Sequence, residues 1–122
     1  MLANLAFRLA RTRLGQRVTV RLFTKMDFLI PVQRLRDTPN LLAFYHPHPA
    51  YMLHILIVPK RELAGLQDLS SEDQGLLFEI FQTVQSLVAE LGLDKAGYRL
   101  IVNGGKNQDI PILHFHLVSE AH

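Results

Sequence analysis

Cysteine is absent from this 122-residue chain. Its absence excludes thiolate nucleophiles, cysteine-ligated zinc and dithiol redox chemistry together. Long hydrophobic runs are missing as well: stretches such as Ile55 to Val58 fall far short of the roughly 20 apolar residues of a membrane-spanning helix. No internal repeat, low-complexity tract or Gly/Ser linker divides the chain. Acidic residues do not occur before Asp27, so Arg8, Arg11, Arg13, Arg17, Arg21 and Lys25 give the first 26 positions +6, and the remainder carries −4. Arg8 and Arg11 also interrupt the apolar stretch of about 7–15 residues that a secretory signal requires. These absences point to a soluble, cytoplasmic protein with no transmembrane segment.

A hydrophobic content of 48% and this length fit one compact domain. Folding at this size removes roughly two thirds of the unfolded chain's accessible surface, enough for a core without disulfides or a structural metal. Leu2, Leu5, Ala6, Leu9 and Ala10 fall on one helical face with arginines elsewhere, which predicts a basic N-terminal helix or arm over residues 1–29. That helix either docks on its own domain with a solvated basic side or meets an anionic surface through its arginines. No aromatic interleaving or nucleic-acid motif accompanies the charge. The compact domain then occupies residues 30–122.

Within that domain, an extended stretch begins at Ile30 and Pro31, where proline favours a strand start or an edge. Leu41 to Tyr45 is a short apolar run that ends in the turn-like His46-Pro47-His48-Pro49. His54 to Val58 reads as a buried strand stopped by Pro59. Ser70, with Asp73 three residues on, resembles a capping box. Leu77, Ile80, Phe81, Val84, Val88 and Leu91 follow at helical spacing, and Gly92 is a natural stop. Tyr98 to Val102 and Ile112 to Val118 are the remaining strands, separated by the turn Asn103-Gly104-Gly105. Several strands around one long helix, without regular βαβ alternation, predict an α+β fold.

The chemistry lies in the last strand. Side chains two apart on a strand share a face, so His114 and His116 point together, with Phe115 and Leu117 turned to the core. Imidazole titrates near neutrality and serves as nucleophile, general acid or metal ligand. His54 opens a second strand that could lie nearby. His46 and His48 add two imidazoles in a turn, but strict tetrahedral zinc spacing is missing, and neither a metal nor another cofactor is expected. Gly104-Gly105-Lys106 lacks the rest of a phosphate-binding Walker pattern.

Several collinear blocks resemble the histidine triad (HIT) nucleotide-binding family: Ile30-Pro31, Leu42-Ala43-Phe44, His54 to Lys60, Leu91 to Lys95 and Gly97 to Asn103. The family signature, His-φ-His-φ-His-φ-φ with φ apolar, is matched by Ile112-Leu113-His114-Phe115-His116-Leu117-Val118 with the first histidine replaced. From Ile30 to Val118 the resemblance covers 89 of the 122 residues. It implies a five-stranded, mainly antiparallel sheet with one long helix, continuing across a homodimer. It further implies attack by His114 on the α-phosphate of a nucleotide conjugate, a nucleotidyl-histidine intermediate, and hydrolysis by water. In that reading His116 and His54 supply protons and hydrogen bonds, and Phe44, His46, Asn103 and Gln108 line the nucleotide pocket. An ungapped register from Asn103 would instead place the nucleophile at His116; the first register keeps Gln108 six residues ahead of His114.

Three departures separate this chain from the pattern. The aspartate that usually holds the ribose hydroxyls is replaced by His46. The usual Gly-Gln-Ser before the triad reads Asn107-Gln108-Asp109, placing a carboxylate where phosphate is expected. Ile112 takes the place of the first histidine. The alternative to a nucleotide-conjugate hydrolase is therefore a catalytically degenerate relative that binds a nucleotide or another anion without turnover.

Overall fold

The computed structural model describes residues 33–120, so the expected N-terminal basic segment at 1–29 and its boundary with the domain lie outside the described residues. The strands are β1 (Arg34–Asp37), β2 (Leu41–Tyr45), β3 (Leu53–Pro59), β4 (Arg99–Val102) and β5 (Phe115–Ser119). They form a five-stranded sheet in the order β1-β2-β3-β5-β4, with every neighbouring pair antiparallel. One long helix, α1 (Gln74–Glu90), and a single-turn helix, α2 (Leu93–Ala96), connect β3 to β4. This is the expected α+β architecture.

Alternation along the strands builds the core. Leu41 and Ala43 of β2, Leu53, Ile55 and Ile57 of β3, and Phe115 and Leu117 of β5 share one face and pack with Ile80, Val84 and Leu87 of α1. The opposite face is buried too, because Leu42, Phe44, Leu56, Val58 and Val118 are at most 2% exposed. Burial on both sides explains why Leu41-Leu42-Ala43-Phe44 and Ile55-Leu56-Ile57-Val58 read as unbroken apolar runs rather than as an alternating pattern.

The helix begins as the sequence predicts. Ser70 accepts from the backbone of Glu72 while Asp73 accepts from the Ser70 N–H at 2.9 Å, which completes a capping box with the shorter aspartate. Asp73 is buried and is also paired with Arg61. At the other end Gly92 adopts φ +65°, a left-handed conformation that stops the helix at little steric cost. Two details differ from expectation. Phe81 is 55% exposed, whereas Leu87 is fully buried, so the buried stripe runs through Ile80, Thr83, Val84 and Leu87. The last strand begins at Phe115 rather than Ile112, because the chain bends over residues 109–112 and His114 lies just before the strand.

Candidate functional site

The sheet register determines which imidazoles meet. His54 of β3 pairs with Val118 of β5, and His116 of β5 pairs with Leu56 of β3. The two histidines are therefore diagonal neighbours on one face, about 7–8 Å apart at Cα and within reach of each other's rings. Their facing nitrogens, His54 Nε2 and His116 Nδ1, lie 2.8 Å apart. The His46-Pro47-His48-Pro49 turn brings in a third ring. The His48 N–H donates to His46 Nδ1 at 2.9 Å, and the His46 N–H donates to the His54 carbonyl at 2.8 Å. The His46 and His54 ring centroids are 4.3 Å apart, and those of His114 and His116 are 4.8 Å apart. Four imidazoles thus share a cleft of about 470 Å³, which His48, Tyr51, Asn103 and Asp109 also line.

Hydrogen bonding dictates the tautomers. A backbone N–H can only donate, so the Ala50 N–H, 3.0 Å from His54 Nδ1, makes that nitrogen an acceptor. Neutral His54 then carries its proton on Nε2 and donates it to His116 Nδ1. His116 in turn holds its proton on Nε2, a buried atom without a hydrogen-bond partner among the described residues. His114 is wired in the opposite sense. Its Nδ1 is 2.8 Å from the Ile112 carbonyl oxygen, which can only accept, so Nδ1 bears the proton and Nε2 keeps its lone pair. The cleft therefore presents an unprotonated nitrogen on His114 beside an unpartnered N–H on His116.

Burial and mutual repulsion keep these rings neutral near pH 7. Burial first, and then the charges of His54, His116, His48 and His114, push His46 down to about 4. Burial followed by His114 and His54 brings His116 to about 4, with Asp109 opposing. His54 is lowered by burial and by His114. His114 is lowered by burial, while its bond to the Ile112 carbonyl and the Asp109 carboxylate act to raise it. Four rings this close disfavour any one imidazolium, and the Asp109 carboxylate in the lining favours it.

The expected site residues separate into two sets. His54, His114, His116, His46 and Asn103 line one cleft. Phe44 and Gln108 do not. Phe44 is fully buried in β2, paired with Leu56, and is not among the residues that line this cleft. The Gln108 side-chain amide donates to the carbonyls of Ala64 at 2.6 Å and Ile112 at 2.9 Å. It thus fixes the same carbonyl that orients His114. Tyr51 carried no expectation, yet its ring stands edge-on to His54 at a centroid distance of 5.3 Å. Its signal was position alone, three residues before His54 and just after a proline-stiffened turn. Among the described residues no three side chains are arranged to hold a metal ion.

Comparison with known proteins agrees with this architecture. The HIT domain model matches residues 28–122. A HIT-like protein found in two strains of Helicobacter pylori is 32% identical over 92 residues, covering 74% of this chain and 86% of the relative. One from Synechococcus elongatus is 35% identical over 91 residues, covering 73% and 79%. Among solved structures, a HIT family hydrolase from Legionella pneumophila superposes with a TM-score of 0.76 at 29% identity, covering 83% of this chain and 92% of that one. A histidine triad protein from Clostridium difficile gives 0.74 at 26% identity, with 84% and 88% covered. The chain belongs to the HIT family, a family of nucleotide-binding proteins and hydrolases.

Proposed function

We propose that the histidine cleft binds the phosphate of a nucleotide. The observation that carries this reading is the convergence of His46, His54, His114 and His116 on one cavity, with the buried His116 Nε2–H still in need of an acceptor. A phosphate oxygen meets that need, since an unpaired buried donor costs about 1–3 kcal/mol. The dianion also reverses the local electrostatics, because a nearby negative charge favours imidazolium. Ligand and proton are then taken up together. The three departures, Ile112, His46 and Asp109, favour binding without turnover. Asp109 in particular repels phosphate until an imidazolium offsets it.

A second reading, nucleotidyl transfer, is favoured by one further observation: the Ile112 carbonyl holds His114 with its Nε2 lone pair available. In that chemistry His114 Nε2 forms a bond to phosphorus and the bond to the leaving group breaks. Once the bound phosphate has drawn a proton onto His116, the Nε2–H of that imidazolium protonates the departing atom and leaves a neutral ring; water then attacks phosphorus and the bond to His114 Nε2 breaks. The chain's resemblance to its relatives also supports a homodimer, and the outer edge of β4, paired only with β5 among the described residues, is an edge that a second copy can extend.

Calorimetry with adenosine monophosphate, and phosphorus NMR with an adenosine phosphoramidate, a dinucleoside polyphosphate and a sugar nucleotide, separate the two readings. Binding heat that His116→Ala weakens, without turnover of any conjugate, is the expected result. Turnover abolished by His114→Ala replaces it with the transfer reading. Turnover abolished by His116→Ala and only reduced by His114→Ala moves the nucleophile to His116. No binding heat between pH 5 and pH 8, together with no turnover, discards both.

A further inference from the structure

The sheet register carries the site sideways, away from the histidines. Val118 of β5 pairs with His54 on one side and with Arg99 of β4 on the other. His54, Val118 and Arg99 therefore stand in one row across three strands and share a face, with Arg99 two strand spacings, or about 10 Å, from His54. A second cavity of about 310 Å³ opens beside this row, lined by Arg99, Val118, Tyr98, Glu120 and Tyr51 among others. Tyr51 lines the histidine cleft as well, so the two cavities adjoin across a single aromatic ring.

The two cavities differ in charge. Among the described residues no lysine or arginine lines the histidine cleft, and its imidazoles are held neutral near pH 7. Arg99 is exposed and its side chain makes no hydrogen bond or ion pair among the described residues, so the guanidinium keeps its donors available. A guanidinium of this kind recognises phosphate through paired N–H donors. Glu120, exposed at the end of β5, is the opposing charge on the same cavity.

We infer that the Arg99 cavity receives a second phosphate of the ligand whose first phosphate lies among His54, His114 and His116, so that this chain prefers nucleotides extended beyond the monophosphate. The inference rests on the reading of the histidine cleft as a phosphate site and names the ligand class for it. A run of two or three phosphates passes Tyr51 and meets the long Arg99 side chain. The tyrosine rings of the second cavity provide flat apolar walls for whatever the last phosphate carries.

Calorimetry at low ionic strength and pH 7 tests this, with adenosine monophosphate and α,β-methylene adenosine diphosphate as probes, the methylene bridge preventing cleavage. The wild-type chain is expected to bind the diphosphate analogue about fivefold more tightly than the monophosphate, as one charge-assisted contact on an exposed arginine allows. Arg99→Gln, at an exposed position, is expected to erase that preference, so that the two probes bind the variant with equal affinity. Glu120→Gln acts in the opposite direction and enlarges the preference. Equal affinity for the two probes in the wild type, or a preference that survives Arg99→Gln, overturns the inference while the histidine cleft reading stands. Failure of the monophosphate to bind the wild type overturns both.

Discussion

The Ile112 carbonyl oxygen accepts from His114 Nδ1 and from Gln108 Nε2, so a single backbone group sets the tautomer of one imidazole and the position of the loop before it. Side chains govern the same cluster through their titration. His46 and His116 are held at about 4, below the ordinary 6.5, so between those values the unfolded chain binds protons that the folded chain does not. Stability then rises with pH across that window. It is complete above about pH 6.5 and is lost as the pH falls toward 4. Urea midpoints measured from pH 4 to 7.5 are expected to fall on acidification, with a shallower slope in His46→Gln. A midpoint that stays constant between pH 7 and pH 5 would show that these rings are not held neutral by the fold. The histidines that line the cleft were legible in the sequence. The tautomers were not, because they depend on Ala50 and Ile112 backbone groups whose direction no side-chain pattern encodes.

At the scale of the elements, α1 was readable from its capping box, its period and Gly92, and its phase was readable only in part. Phe81 and Leu87 occupy opposite states, exposed and buried, although both are apolar and both lie in the periodic segment. The sheet decides between them, since the stripe that contacts Ile55, Phe115 and Leu117 is the one containing Ile80, Val84 and Leu87. Leu87→Ala is expected to destabilise the fold by about 2–5 kcal/mol through lost burial and the cavity left behind. Phe81→Ala should cost about 0.5 kcal/mol or less, as exposed substitutions do. Denaturant unfolding of the two variants checks the contrast, and equal losses would mean that the helix packs through a different face.

For the whole molecule, the sheet order β1-β2-β3-β5-β4 leaves β4 on the outside, with Tyr98 exposed just before it and Phe78 and Phe81 exposed on α1. Exposed edge strands tend to be covered, charged or paired with another chain. The homodimer proposal accordingly predicts twice the 13.9 kDa chain mass by light scattering. A mass near that of a single chain at concentrations well above those of the binding experiments would remove the proposal. The β4 edge and the Arg99 cavity lie on the same strand, so a dimer that pairs through β4 would border the second phosphate position without requiring any change in the histidine cleft.

Local chemistry was written in the sequence: the apolar runs of doubly buried strands, the Ser70-Asp73 cap, the Gly92 stop, and the alternation that puts His116 on one side of β5 with Phe115 and Leu117 on the other. Each of these depends on residues within a few positions of one another, where backbone period and side-chain type suffice. The tertiary structure decided what depends on distant partners. Antiparallel register brought His54 to His116 across 62 positions and aligned Arg99 with His54 through Val118. Burial on both sheet faces encloses Phe44, and the Gln108 amide bonds to the carbonyls of Ala64 and Ile112. The physical reason is the same in every case: register and burial are properties of the assembled sheet, and no single segment contains them.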